Sequence, residues 1–150
     1  MIARHALAWV LLCAFTAVAV AAGAGQVRIG DRVAVTVEVA RTEAEKIRGL
    51  SGRDGLAPGG GMLFVYEDPV RPLIWMRGMR FSLDILWIRD GRVVGLVQEA
   101  KPPAPGEAPQ IFAPPEEVQY VLEVPAGFAQ RYGIVSNAPV EIRLGERKER

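Results

Sequence analysis

Val33-Ala34-Val35-Thr36-Val37-Glu38-Val39-Ala40 alternates valine with a small or polar residue along its whole length. A period of two puts successive side chains on opposite faces, so the stretch reads as a half-buried strand. Thr42-Glu43-Ala44-Glu45 follows at once with the spacing of a capping box. It predicts a short helix from Glu43 to about Arg48.

The rest of the chain extends this β reading. Gly49, Gly52, Gly55 and Pro58-Gly59-Gly60-Gly61 make the next stretch rich in turns, and Met62–Tyr66 is an apolar run suited to a buried strand. Glu67-Asp68-Pro69 and Pro72 predict a further turn. Ile74–Met76 and Phe81–Ile88 read as strands, and Asp90-Gly91 as a hairpin turn leading into Arg92–Gln98. Lys101–Pro115 holds Pro102, Pro103, Pro105, Pro109, Pro114 and Pro115, which bars a helix or a central strand there. A stiff surface loop is expected, with a lid over a binding site as its functional version. Gln119–Val124 resumes a strand, Pro125 suits the first turn of a second short helix, and Gly133 is placed to end it. Val140–Leu144 is the last strand. About seven short strands and two short helices predict a mainly β, single-domain sandwich or barrel.

Met1–Ala24 has the three parts of a secretory signal peptide. Arg4 gives a positive start, Ala6–Ala22 is small and apolar throughout, and Ala22-Gly23-Ala24 offers a cleavage site. Cleavage is expected after Ala24, with Ala19-Val20-Ala21 as a second site. A retained anchor is disfavoured because the run is alanine-rich and shorter than a spanning helix needs. Leu12 before Cys13 does not suit lipid attachment, and a lone arginine gives no twin-arginine signal. The expected organisation is a leader over residues 1–24, one β domain over 25–145 and a charged, flexible tail over 146–150. The expected destination is the periplasm or the exterior, with the membrane touched only through the leader.

The chain has one cysteine and one histidine, Cys13 and His5, and both lie in the leader. A mature domain without thiol or imidazole leaves no cysteine nucleophile, Ser-His-Asp triad, disulfide or ordinary zinc site. Arg4 is the only Lys, Arg, Asp or Glu in the leader, so the chain's 18 basic and 17 acidic residues leave the mature part evenly balanced. Without a basic stripe, nucleic-acid binding has little support.

Several motifs then occur in a telling order. Arg48-Gly49-Leu50-Ser51-Gly52-Arg53 precedes Gly61-Met62-Leu63-Phe64-Val65, then Trp75-Met76-Arg77, Leu83-Asp84-Ile85 and Tyr120-Val121-Leu122-Glu123-Val124-Pro125-Ala126-Gly127. The series resembles domain-of-unknown-function family 192, small and often exported bacterial and archaeal domains, over about Val33 to Leu144. The resemblance implies a jelly-roll-like β fold and brings no established activity, ligand or catalytic residue. The chain departs from the family's usual Trp-Met-Lys-Asn-Thr and Pro-Leu-Asp at Arg77, Gly78, Met79 and Ser82. Ser136-Asn137-Ala138-Pro139 replaces a more usual Gly-Asp turn.

Asp84 is the first candidate site residue. It lies inside an apolar strand, opposite in facing to Leu83, Ile85 and Trp87, where an ionised carboxylate needs a partner. Arg48, Arg53 or Arg77 could supply one as a bidentate ion pair. That pairing would be structural, or else one wall of a polar pocket. Glu123 is the second acid. If it met Asp84, the two could serve a hydrolase that works without histidine. It could equally bond amides at the start of the helix after Pro125. Trp75, Met76, Met79 and Met62 form a sulfur-bearing apolar group that could in principle hold Cu(I), but gap-filling in a core is the plainer reading. No metal and no cofactor are expected.

The leading expectation is a non-catalytic binding or accessory domain for a small molecule or a periplasmic protein. Its pocket would lie near Trp75, Arg77 and Asp84 under the proline-rich loop, with Arg48, Arg53 and Met76 contributing. The alternatives are the Asp84–Glu123 hydrolase and a protein–protein interaction module docking on a sheet edge.

Overall fold

In the computed structural model the described residues are 24–145, so the leader up to Gly23 and the charged tail lie outside them. Strands β1 (Ala24–Ile29) and β2 (Val33–Ala40) lead to helix α1 (Glu43–Arg48), followed by β3 (Gly60–Val70) and β4 (Ile74–Trp75). Next come β5 (Leu83–Arg89), β6 (Arg92–Ala100), β7 (Ile111–Phe112), β8 (Val118–Pro125), α2 (Phe128–Tyr132) and β9 (Val140–Leu144). Seven strands form one sheet in the order β6-β5-β8-β3-β2-β1-β9, while β4 and β7 pair as a separate ribbon. The fold is mainly β, with the large sheet curled into a half-barrel. Its two edges meet at one end. Arg92 bridges Pro139, and the Val140 N–H donates to the Gly91 carbonyl at 2.7 Å.

The local chemistry accounts for most elements. The Thr42 hydroxyl accepts the Glu45 N–H at 3.2 Å, and the Glu45 carboxylate accepts the Thr42 N–H at 2.8 Å, which closes the capping box of α1. That short helix carries the chain between β2 and β3, the parallel pair in the sheet. Asp90 and Gly91 both have positive φ, as a tight hairpin between β5 and β6 requires. Gly133 ends α2 in the left-handed conformation.

Two expectations are corrected, the turn at Glu67-Asp68-Pro69 and the place of Pro125 in the second helix, and two short strands, β1 and β7, are added. β1 carries no strong alternation of its own and is held by β2 on one side and β9 on the other. β3 runs on through Glu67-Asp68-Pro69 instead of turning there. A register shift between Val65 and Val70 lets Pro69 sit where no ladder N–H is needed. Pro125 is the last residue of β8, and Gly127 caps α2. The proline-rich loop contributes Ile111 and Phe112 as a two-residue edge strand pairing with Trp75 and Ile74.

Two apolar clusters lie on opposite faces of the sheet. One joins Val27, Val35, Leu63, Leu86, Leu122 and Val124 with Ala129 of α2. The other joins Met62, Phe64, Leu83, Ile85, Trp87 and Val121 with Leu50 and Met76 from the segments that cover that face. Leu83 through Ile88 are all buried because β5 is packed on both sides.

Candidate functional site

Asp84 and Glu123 occupy neighbouring positions of the β5–β8 ladder, where Asp84 pairs with Val124 and Ile85 with Glu123. Side chains alternate across a sheet, so the two carboxyl groups project from opposite faces. They do not converge, and the paired-carboxylate arrangement of a hydrolase is absent.

Asp84 is fully buried, and its partner is not an arginine. One carboxylate oxygen accepts the N–H groups of Glu99 and Gly127 at 2.9 and 3.2 Å, and the other accepts that of Ala129 at 2.8 Å. Asp84 therefore clips the start of α2 to the sheet and pins an irregularity in β6. There Leu83 pairs with Ala100 but Ile85 with Val97, so Gln98 and Glu99 together face one residue. The role foreseen for Glu123, bonding amides at the second helix, belongs to Asp84.

Glu123 has the opposite environment. It is 5 % exposed, and its cross-strand neighbours are Met62 and Ile85. Among the described residues no group donates a hydrogen bond to it. Fully buried side-chain polar atoms there all have partners, so the Glu123 carboxyl must open toward the cavity it lines. Burial pushes its pKa up to about 8.

That cavity, about 410 Å³, lies between α1 and the face of the sheet that carries Phe64 and Tyr66. Met62, Phe64 and Tyr66 alternate along β3, so they share a face with Glu123. α1 supplies Glu43, Lys46, Ile47 and Arg48 to the wall, and the segment around β4 supplies Leu73, Trp75 and Met79. Gly49 lets the helix end close to the sheet. It has positive φ, and a Cβ there would sit 3.4 Å from the Phe64 ring. The Lys46 ammonium lies 4.4 Å above the centre of the Tyr66 ring and 3.0 Å from Glu43. The Tyr66 phenol is raised to about 12, first by burial and then by the charges of Glu43 and Glu123.

The expected pocket residues thus divide. Arg48 and Trp75 line the cavity, and Trp75 is 44 % exposed. Arg77 stands outside it, with its guanidinium 6.0 Å from the Trp75 ring. Met76 is a core residue like Met62. Arg53 is held by Glu38 through two hydrogen bonds of 2.5 and 2.8 Å, which lowers the Glu38 pKa. No residue of the proline-rich loop lines the cavity, so the loop is not its lid.

Gly78 explains one departure noted in the sequence. Its φ is +69°, in the left-handed region that asparagine also adopts readily. The Gly78 and Arg77 carbonyls accept from the Gly52 N–H and the Ser51 hydroxyl, each at 2.8 Å, tying this turn to the end of α1. Glycine therefore preserves the turn while giving up the amide. Tyr66, Lys46, Ile47 and Leu73 were missed as site residues. The Met62-Leu63-Phe64-Val65-Tyr66 alternation could have flagged Tyr66, whereas the others depend on where α1 and β4 pack.

The family DUF192, described as "Uncharacterized ACR", matches residues 25–142. No curated protein matches the chain. A structure from Sinorhizobium meliloti 1021, named as a putative transcription regulator, is 30% identical with a TM-score of 0.72, covering 83% of this chain and 96% of that one. A protein of unknown function from Novosphingobium aromaticivorans DSM 12444 is also 30% identical, with a TM-score of 0.68, covering 79% and 83%.

Proposed function

The chain belongs to the DUF192 family, and from that premise we propose that it is an exported, non-catalytic domain that binds a small molecule between α1 and the sheet. One observation carries the reading: Glu123 is 5 % exposed, without a protein partner, and lines a cavity walled mainly by apolar side chains. Leaving a buried polar group unpaired costs stability, and a bound molecule would supply the missing bond. A largely apolar pocket with few polar groups is the usual form of a small-molecule site. The regulator role named for the Sinorhizobium relative would call for a nucleic-acid surface. The near-equal 18 basic and 17 acidic residues favour a ligand pocket instead.

Export rests on the leader. Cleavage after Ala24 would remove only the first residue of β1 and leave the strand to begin at Gly25. Intact-mass measurement on protein recovered from a periplasmic extract tests this. A chain starting at Gly25 is expected, and a retained leader would sink the export reading. Native mass spectrometry of the same sample should reveal a discrete bound mass that Trp75→Ala greatly reduces. A bound mass unaffected by Trp75→Ala would place the ligand elsewhere.

A further inference from the structure

Resting on that pocket, we infer that its ligand is an amphipathic amine: an apolar body lying on the rim, with one cationic head that reaches Glu123. Three features of the site converge on this chemistry.

The first is the acid itself. Asp84 is saturated by three amides and Glu38 by Arg53, whereas Glu123 has only Met62 and Ile85 across the ladder. An anionic head would be repelled once Glu123 ionised. A hydroxyl would gain one neutral hydrogen bond. A cation would ionise the acid and gain a charge-assisted bond where water is scarce, the strongest of the three.

The second is the wall. Phe64, Tyr66 and Trp75 line the cavity, and aromatic faces attract cations. The protein already places an ammonium in this setting: Lys46 rests on Tyr66 while Glu43 holds its charge.

The third is the rim. Ile47 and Leu73 are each 66 % exposed and line the mouth beside Trp75, and Ile111 pairs with Trp75 across the β4–β7 ribbon. An apolar body would cover these side chains. The charged and titratable groups facing Glu123 are Glu43, Lys46 and Arg48 from α1 and Tyr66 from β3, while β5 presents only Leu83 and Ile85. Lys46 and Arg48 line the same cavity and disfavour a second positive charge on the ligand.

Calorimetry and NMR with 2-phenylethylamine and its neutral counterpart 2-phenylethanol test the inference. The amine is expected to bind more tightly above pH 8, shifting the Trp75 and Tyr66 signals. Its affinity should fall roughly tenfold per pH unit below 8, with up to one proton released per amine bound, while that of the alcohol stays flat. Glu123→Gln should abolish the preference and keep alcohol binding. If that variant fails to fold, the pH dependence of the unmodified chain decides alone. Equal, pH-independent binding of both compounds at Trp75 and Tyr66 would overturn the cationic head and leave the pocket standing. No shift at either residue with either compound would overturn the pocket reading as well.

Discussion

Two acids one register step apart on adjacent strands serve unlike purposes because a pleated sheet sends them to opposite faces. Asp84 gathers three amides, so Asp84→Ala strands three donors in the interior and should cost roughly 3–5 kcal/mol by chemical denaturation. An unchanged denaturation midpoint would contradict its anchoring role. Glu123 is raised to about 8 by burial, so the folded state holds its proton more tightly than the unfolded chain. Its contribution is fully present below the unfolded value near 4.5 and is lost as pH rises through about 8. Glu123→Gln, which cannot ionise, should match the parent near pH 4 and exceed it at pH 9 by about 5 kcal/mol at most. Parallel stability curves for the two proteins between pH 4 and 9 would refute this.

At the scale of elements, α1 matters more than its six residues suggest, because it carries Lys46, Ile47 and Arg48 to the cavity wall. None of its own residues is buried, so its capping box is a main support. Thr42→Ala should cost about 1 kcal/mol and weaken ligand binding together with stability. A loss of stability with binding untouched would show the wall to be independent of the cap. The β6 irregularity makes a second case. Glu99 has φ +53° and is held there by its N–H bond to Asp84. Glu99→Gly relieves that backbone at no loss of the bond, and a thermal melt should show a midpoint unchanged or raised.

Across the whole molecule, the two apolar clusters are back to back on one sheet and share β5 and β8. Loss of either would expose the other's strands, so a single cooperative unfolding transition is expected. Hydrogen exchange should be slowest in the amides of β5 and β8 and faster in β1 and β9, toward the edge of the sheet. Two separated transitions, or the slowest exchange in β9, would mean that the faces fold apart. The edge strands are stitched together where Arg92 meets Pro139, which shortens the open edge available for pairing with another chain.

Much of this was legible in the residues themselves. The valine alternation of β2, the capping box of α1, the Asp90-Gly91 hairpin and the Gly133 helix stop are local signals, set by propensity and backbone sterics within a few positions. The family motifs likewise stand in plain order. The buried acids were legible as anomalies, since Asp84 and Glu123 interrupt apolar strands. Their partners were not, because a hydrogen-bond acceptor is satisfied by whatever the register and crossovers bring near it. Asp84 found amides of Glu99, Gly127 and Ala129 up to 45 positions away, and Arg53 was taken by Glu38. Glu123 met only methionine and isoleucine across the ladder, while α1 and β4 closed a pocket over it. The β class, the short capped helix and the presence of two acids in apolar strands all depend on near neighbours, and so can be read from the order of residues alone. Which acid is sated and which faces a cavity depends on strand register and on packing between distant segments, and so emerges only in the folded chain.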